Sequence, residues 1–151
     1  MKPYIKVASE EDAILLSTNL RKEDEEEIKA YANIKPKEAL ILGIQQSKIP
    51  LAVYDKKGKI VFLCGVRNIN SYIGQVWLLA SPELETISIS FLRNCRQVAD
   101  LYTKDHKLLF NYVDERNELH IKWLKWCGFT FINRIEKFGF EKRPFLEFVR
   151  I

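Results

Sequence analysis

Three β-rich runs follow one another in the middle of the chain, and stretches with helical spacing lie on both sides of them. The runs are IPLAVYD (49–55), KIVFLCGVRN (59–68) and GQVWLLA (74–80). The spacer KKG between the first two ends in a glycine, which predicts a hairpin turn. A chain that changes from helical spacing to β runs and back again is predicted to fold as an α/β protein.

The region before these runs predicts one strand and two or three helices. PYIKVA (3–8) reads as a strand, and Ser9 with Asp12 three residues later forms a weak capping box for the next helix. A charged helix follows at RKEDEEEIKAY, and Pro36 suits the first turn of another. The acidic run Glu23 to Glu27 is interpreted as a solvated helix face rather than an interaction surface.

After the three runs, helices and strands alternate to the end of the chain. Apolar residues recur at helical steps from residue 88, and KLLFNYV (107–113) is a further β run. His120, Trp123, Leu124 and Cys127 then form an i, i+3, i+4, i+7 stripe that Gly128 is expected to end. FTFINRIEKF and PFLEFVRI close the chain as two strands.

Composition limits the classes of protein to which the chain can belong. Its 151 residues suggest a single domain over 1–151, and the 47% of hydrophobic residues is enough for a core. We expect no membrane span and a cytoplasmic location, since no apolar run approaches the ~20 residues that a bilayer requires. The charge of +4 comes from scattered basic residues, which does not indicate a nucleic-acid partner.

The three cysteines are interpreted as buried, reduced thiols. Cys64, Cys95 and Cys127 are odd in number and include no Cys-x-x-Cys pair. Only two histidines could add to them as ligands, so we expect no metal site.

The order of elements and the segment NELHIKWLKWCGF (117–129) resemble the GCN5-related N-acetyltransferase (GNAT) family across nearly the whole chain. The family's late segment often reads Asn-x-x-Ala-x-x-x-Tyr-x-x-x-Gly-Phe, and Asn117, Gly128 and Phe129 match it without a gap. The resemblance implies a mixed, mostly antiparallel sheet with flanking helices. It also implies that GQVWLLA and KLLFNYV splay apart to receive the pantetheine arm of acetyl-CoA, with Asn117 bordering the cleft.

Several runs resemble more closely a group of small proteins of short-tailed bacteriophages. These runs are WLLASPELE, FLRNCRQV, NYVDERN, IKWLKWCGF and PFLEFVRI. Those phage proteins are described as acetyltransferases, and some carry an internal-virion or morphogenesis label. The resemblance implies a phage protein that acts in the host cytoplasm or is incorporated in the virion, with an amine, a host protein or a phage protein as its partner.

The chain departs from the family at the pyrophosphate loop. Family members bind the pyrophosphate with a glycine-rich loop, whereas SPELETISIS (81–90) contains no glycine and carries Glu83 and Glu85. The backbone amides of Thr86, Ile87 and Ser88 remain candidates for anion binding. Thr86 or Ser88 can equally act as a plain N-cap, and the sequence leaves both interpretations open.

A second departure concerns proton transfer. The family's tyrosine, which can protonate the departing thiolate, falls at Leu124, and His120 lies one turn earlier on the same face. His120 is therefore the candidate catalytic residue, with a structural, hydrogen-bonded histidine as the alternative. In the family a strand amide near Leu79 polarises the thioester carbonyl, and Leu79 and Ala80 are the candidate cofactor-binding residues of this strand. Two hypotheses follow: an acetyl-CoA-dependent N-acyltransferase, and a non-catalytic GNAT-like protein that serves virion assembly or binds a host protein.

Overall fold

The computed structural model describes residues 2–87 and 89–151, without the side chains of 89–92. The predicted order of elements is confirmed. The helices are α1 (Glu10–Ser17), α2 (Lys22–Ala32), α3 (Pro36–Gln46), α4 (Ile89–Asp105) and α5 (Glu118–Trp126), with a 3₁₀ helix at Pro82–Thr86. The strands are β1 (Tyr4–Val7), β2 (Leu51–Tyr54), β3 (Ile60–Asn68), β4 (Ile73–Ala80), β5 (Leu108–Asp114), β6 (Thr130–Phe138) and β7 (Arg143–Arg150).

The strands form one mixed sheet in the order β1-β2-β3-β4-β5-β7-β6. Every neighbouring pair is antiparallel except β4 and β5, which run parallel. The α4 crossover makes this parallel pair, because parallel strands need a long connection between them. The expected α/β fold with a mixed, mostly antiparallel sheet is therefore confirmed.

Local sequence sets the ends of several elements. Asp12 accepts from the Ser9 backbone N–H at 2.8 Å, which is one half of the predicted capping box. Pro36 occupies the first turn of α3, where its missing N–H costs nothing. Gly128 has a φ of +90° and ends α5 as expected.

The helices divide between the two faces of the sheet and enclose two apolar cores. One core joins α1, α2 and α3 to the sheet through residues such as Leu16, Ile28 and Leu40. The other joins α4 and α5 to the opposite face through residues such as Tyr102 and Trp123. Strand β3 contributes to both cores, and its residues 60–66 are all buried.

Trp123 belongs to the α4–α5 core, as its position on the apolar stripe predicts. Its side chain is 6% exposed, and its ring meets Phe62 edge-on with 6.2 Å between centroids. Trp126, one turn later on the same helix, is 41% exposed. The two tryptophans of α5 therefore form a matched buried and exposed pair.

We expect Trp123→Ala to lower the free energy of unfolding by ~3–5 kcal/mol, since it leaves a cavity beside Phe62. For a chain of this length, that loss corresponds to a drop in Tm on the order of 10 °C. Differential scanning calorimetry of Trp123→Ala and Trp126→Ala checks this, with a smaller drop expected for Trp126→Ala. Equal drops in the two variants would contradict the assignment of Trp123 to the core.

Candidate functional site

Strands β4 and β5 pair over a short length and then separate. Their register includes only Ile73 with Leu108, Gly74 with Leu109, and Gln75 with Phe110. Both strands continue beyond this point, β4 to Ala80 and β5 to Asp114. A V-shaped gap therefore opens between the two central strands, as the family resemblance implies.

The side chain of Asn111 fills the closed end of the gap. Its Nδ2 donates to the Val76 carbonyl at 2.5 Å, and its Oδ1 accepts from Gln75 Nε2 at 3.1 Å. The side-chain amide of Asn111 thus takes the place of the next backbone hydrogen bond between the two parallel strands. It fixes the place at which the strands begin to diverge.

The backbone of Leu78 faces the open part of the gap. Val76 and Ala80 both direct polar groups toward the β5 side, where Asn111 and Asp24 contact them. Because alternate residues of a strand direct their backbone groups to the same side, Leu78 also presents its N–H and C=O there. On its other edge β4 pairs with β3 here, and among the described residues no strand pairs with β4 on the β5 side at Leu78.

The adjacent residue Leu79, predicted to mark the polarising amide, has a different backbone direction. It lies opposite Leu63 in the β3–β4 register, and alternation directs its amide toward β3. The amide that is free to polarise a carbonyl in the gap is therefore that of Leu78. The Leu79 side chain does line the cavity described next.

A cavity of about 360 Å³ passes through the sheet at the gap. Its lining includes Cys64 and His120 from the α4–α5 face, and Tyr31 and Trp77 from the α1–α3 face. The volume lies within the range of ~300–1,000 Å³ that is usual for small-molecule sites. Splayed strands thus give access to one continuous space from both faces.

The wide end of the gap is closed by a buried polar network. Asp24 of α2 accepts from the Ala80 amide at 2.8 Å and from Asn117 Nδ2 at 2.7 Å. The backbone N–H of Arg21 donates to the Ala80 carbonyl at 2.8 Å, and its guanidinium donates to Asp24 and Asn117. At the end of β4, hydrogen-bond partners therefore come from Asp24 of α2 and from Arg21 just before it, and not from β5.

Two predicted cofactor-binding residues, Ala80 and Asn117, belong to this network rather than to the cavity wall. The Ala80 N–H and C=O are both bonded, and Asn117 is 1% exposed with its amide bonded to Arg21, Asp24 and Glu27. Asn117 is therefore not among the residues that line the cavity, and its place beside a bound cofactor stays a prediction. Its side chain instead ties the start of α5 to α2.

Glu27 is the residue that sequence reasoning missed. It is half-buried on α2 and lines the cavity, and its Oε1 accepts from the Asp114 backbone N–H at 2.8 Å. Burial, and then the nearby carboxylate of Asp24, raise the pKa of Glu27 to about 8. A carboxyl group with such a pKa changes its protonation state close to neutral pH.

The acidic run that contains Glu27 is thus only partly a solvated face. Asp24 is 1% exposed and Glu27 lines the cavity, whereas Glu25 is exposed. The prediction of a solvated face was wrong for Asp24 and Glu27 because they lie three residues apart, on the side of α2 that packs on the sheet. Helical spacing along the run places these two residues on the same face of α2.

His120 is buried at the cavity wall without a partner for one ring nitrogen. It is 7% exposed, and its Nδ1 has no hydrogen-bond partner among the described residues. Burial lowers the pKa of His120, so the ring is neutral near pH 7. The interpretation as a hydrogen-bonded structural histidine therefore does not account for Nδ1.

The loop after β4 forms the 3₁₀ helix instead of a glycine-rich turn. Thr86 donates its hydroxyl to the Glu83 carbonyl at 3.1 Å, and Ile87 follows the helix in an extended conformation. Ser88, the third residue predicted to bind the pyrophosphate, lies outside the described residues. Glu83 pairs with Lys59 at 3.7 Å, and Glu85 pairs with Arg21 at 3.8 Å.

The carboxylate of Asp114, at the end of β5, is not available to a ligand. Asp114 is 2% exposed and accepts two hydrogen bonds from Arg116 Nε and a third, at 2.7 Å, from Nη2. Glu115 accepts from Arg134 Nε at 2.6 Å. Both carboxylates are therefore held by arginines at the end of β5.

Cys64, Cys95 and Cys127 are buried, free thiols that line the α4–α5 half of the cavity, which confirms their predicted state. Burial raises the pKa of Cys64 to about 12 and that of Cys127 to about 11. These thiols are protonated and unreactive near neutral pH.

In the part of the chain that the structure describes, no group of three or more His, Cys, Asp or Glu residues is arranged to hold a metal ion, and no helix is long and apolar enough to cross a membrane.

Solved structures with the same architecture include several acetyltransferases. Ribosomal-protein-S5-alanine acetyltransferase from Vibrio fischeri matches 100% of this chain and 93% of its own, with a TM-score of 0.69 and 18% identity. A GNAT-superfamily phosphinothricin acetyltransferase from Sinorhizobium meliloti, in complex with acetyl-CoA, matches 99% of this chain and 88% of its own, with a TM-score of 0.74 and 12% identity.

Spermidine N-acetyltransferase from Vibrio cholerae, in complex with CoA and spermine, matches 99% of this chain and 95% of its own, with a TM-score of 0.67 and 13% identity. No protein-family model matches the chain, and no curated protein matches it. The structural matches show that the chain has the GNAT acetyltransferase fold.

We expect Glu27 to lower the stability of the protein as pH rises. With a pKa of about 8 in the folded state and 4.5 as the ordinary value, the folded state binds more protons between these pH values. The contribution of Glu27 to the free energy of unfolding therefore falls as the pH rises from 4.5 to 8. Above pH 8 this contribution is constant. Glu27→Gln should gain stability relative to the wild type across this window.

Urea unfolding of both proteins at pH 5 to 9 measures the difference. Glu25→Gln is the control, because Glu25 is exposed on the same helix. Its difference from the wild type should stay constant with pH. Parallel stability curves for Glu27→Gln and the wild type would contradict the raised pKa.

Proposed function

We propose that this chain, which has the GNAT acetyltransferase fold, transfers an acyl group from acetyl-CoA to an amine. The cavity that crosses the sheet between β4 and β5 carries this proposal. Transfer between two substrates requires that both reach one point, and here the donor can enter from one face and the acceptor from the other.

The residues of the gap fit the thioester end of acetyl-CoA. The Leu78 N–H and C=O can pair with the amides of a pantetheine arm in place of the missing β5 partner, and an amide in this gap can polarise the thioester carbonyl. His120 also lines this cavity, and its buried Nδ1 has no hydrogen-bond partner among the described residues. Acetyl-CoA, when bound, would supply the activated acyl group.

Two groups in the cavity suit proton transfer from the amine. Glu27 has a carboxylate that can accept the proton that the attacking nitrogen loses. His120 is neutral, and a neutral imidazole can accept a proton at one nitrogen and release one from the other. The pair can therefore relay the proton toward the leaving sulfur, which Leu124 at the family's tyrosine position cannot protonate.

A non-catalytic protein is the second candidate, and the network at the wide end of the gap favours it. Arg21 and Asp24 already occupy the Ala80 carbonyl and amide, which removes one pairing site for a pantetheine arm. The acidic 3₁₀ helix also lacks the glycine-rich anion site. In this alternative the chain would assemble into a virion or bind a host protein.

The resemblance to phage proteins extends the proposal to the place where the protein would act. A phage-encoded acyltransferase would act in the host cytoplasm on an amine or on a host protein, or would be carried in the virion. The sequence runs that resemble the phage proteins are the support for this setting.

We expect acetyl-CoA to bind with a Kd weaker than about 1 µM, equivalent to about −8.2 kcal/mol. The reason is that Glu83 and Glu85 place carboxylates where the family has a glycine-rich phosphate site. Replacing either glutamate by Gln should tighten acetyl-CoA binding a few-fold, since one exposed charge contributes about 0.2–1 kcal/mol to such an interaction. The substitution also frees Lys59 from its ion pair with Glu83, or Arg21 from its ion pair with Glu85.

Isothermal titration calorimetry with acetyl-CoA measures the affinity of the wild type and the two variants. Glu136→Gln on the edge strand β6 is the charge-matched control and should leave the Kd unchanged. A submicromolar Kd for the wild type would contradict the weak site. An identical Kd for all variants would show that the loop does not face the phosphates.

We expect His120→Ala to reduce kcat/KM by roughly 10²–10⁴-fold, the usual contribution of a group that transfers protons. Its Tm should fall less than on removal of a histidine with both ring nitrogens bonded, because no described residue forms a hydrogen bond with the buried Nδ1. CoA release with acetyl-CoA and a panel of amines measures turnover.

His106→Ala is the matched control. His106 is 4% exposed and bonds through both ring nitrogens, to the Tyr102 carbonyl at 3.3 Å and to Asn68 Oδ1 at 2.5 Å. It should lower Tm and leave turnover per folded molecule unchanged. Absence of turnover in the wild type with every amine, combined with no acetyl-CoA binding, would overturn the acyltransferase proposal in favour of the non-catalytic protein.

A further inference from the structure

The half of the cavity on the α1–α3 face has aromatic walls. Tyr31 on α2 packs against Phe145, with 6.3 Å between ring centroids, and both line the cavity together with Trp77 and Tyr112. The Trp77 ring is fixed by a hydrogen bond from its Nε1 to Ser47 Oγ at 2.7 Å.

These walls are anchored on both sides. A Cβ added at Gly43 would meet the Trp77 ring at 2.8 Å, so glycine lets α3 lie close against the ring. The turn between β6 and β7 holds the end of α2, because the backbone N–H groups of Phe140 and Glu141 donate to the Tyr31 and Ala30 carbonyls. The aromatic half is therefore a built cavity rather than a surface depression.

Glu27 provides the acidic group in this half. It lies one helical turn before Tyr31, so both side chains project from the same face of α2. Its Oε1 is held by the Asp114 amide and by Asn117 Nδ2 at 3.4 Å. No described residue donates to Oε2, so one carboxylate oxygen is left for a ligand.

The charge of the lining limits the ligand further. Glu27 is the one acidic residue among the described residues that line the cavity, and Arg67 at the rim adds a positive charge. A polyamine carries several ammonium groups, each of which would need its own carboxylate or water when it enters an apolar space. A single carboxylate with aromatic walls matches one amine on an apolar body.

We propose that the α1–α3 half of the cavity is the acceptor subsite for a primary amine carried on an aromatic body, an arylalkylamine, with Glu27 as the residue that binds the amine. This inference rests on the proposed function and names its substrate class. The aromatic body packs between Tyr31, Trp77 and Tyr112. The amine nitrogen contacts Glu27 Oε2 and points toward the gap beside Leu78.

The reaction at this subsite balances without a further reactant. The bound ammonium first releases one proton to solvent by way of Glu27 Oε2. The neutral amine nitrogen then attacks the thioester carbonyl carbon, a C–N bond forms and the C–S bond breaks. The second proton that the nitrogen loses passes to Glu27 Oε2 and then by way of His120 to the leaving sulfur, so that the products are the N-acyl amine and the free thiol.

The test compares phenethylamine with spermidine as acceptors, using the full-length protein with acetyl-CoA and measuring CoA release. We expect kcat/KM for phenethylamine to exceed that for spermidine at least tenfold. Glu27→Gln should reduce turnover of phenethylamine by about 10²-fold or more. Glu25→Gln, on the exposed side of the same helix, should leave it unchanged.

A second variant tests the charge argument by gain of function. Leu42 lines the cavity from α3 and is 44% exposed, so a polar side chain is tolerated there. Leu42→Glu places a second carboxylate on the wall and should shift the preference toward a diamine such as cadaverine. An unchanged ratio of kcat/KM for cadaverine and phenethylamine would count against the single-carboxylate argument.

Binding of phenethylamine without acetyl-CoA separates this inference from the proposed function. Saturation-transfer NMR should detect binding in the wild type and its loss in Glu27→Gln. If no amine is turned over but this binding pattern is found, the subsite stands and acyl transfer fails. Turnover of spermidine equal to or better than that of phenethylamine overturns the subsite and leaves acyl transfer intact, and absence of phenethylamine binding also overturns the subsite.

Discussion

The short pairing of β4 and β5 is the constraint on which the rest of the structure depends. Two central strands that separate leave backbone N–H and C=O groups facing the interior, and each buried group needs a partner. Helix α2 supplies two of them, because Asp24 accepts from the Ala80 amide at the end of β4 and Glu27 accepts from the Asp114 amide at the end of β5. Between them, Leu78 keeps its backbone groups directed into the open gap. The splay is therefore stabilised at its ends and left open in its middle.

Helix α2 therefore carries two carboxylates, Asp24 and Glu27, whose surroundings differ. Asp24 is enclosed by Arg21 and Asn117, which compensate its charge. Burial, and then the nearby Asp24 carboxylate, raise the pKa of Glu27, and its only donors, the Asp114 amide and the Asn117 side chain, are neutral. Neighbouring carboxylates with different surroundings thus take different roles: one closes the wide end of the gap, and the other faces the cavity as a proton acceptor.

The fold was largely predictable from the sequence, and the reason is local. Changes of apolar spacing predict the later helices and the strands, Ser9 and Pro36 mark helix starts, Gly128 marks a helix end, and the hairpin turn follows from a glycine. The site was less predictable. Glu27 sits in a run of acidic residues that looks like a solvated surface, and only the packing of α2 on the sheet gives that residue an environment unlike that of Glu25. Asn111 likewise gives no sequence signal for its position between the strands.

The sequence by itself determined the order of elements, the apolar stripe of α5 and the absence of a glycine-rich loop after β4, because these depend on residue type and spacing within one segment. The tertiary structure decided which polar groups meet. Asn117 fits the family's pattern, yet it is bonded to Arg21 and Asp24, residues 96 and 93 positions away in the chain. His120 lies on an apolar stripe, yet the residue lines the cavity and its buried Nδ1 has no partner among the described residues. Such encounters depend on distances between segments that are remote in sequence, and spacing along the chain carries no information about them.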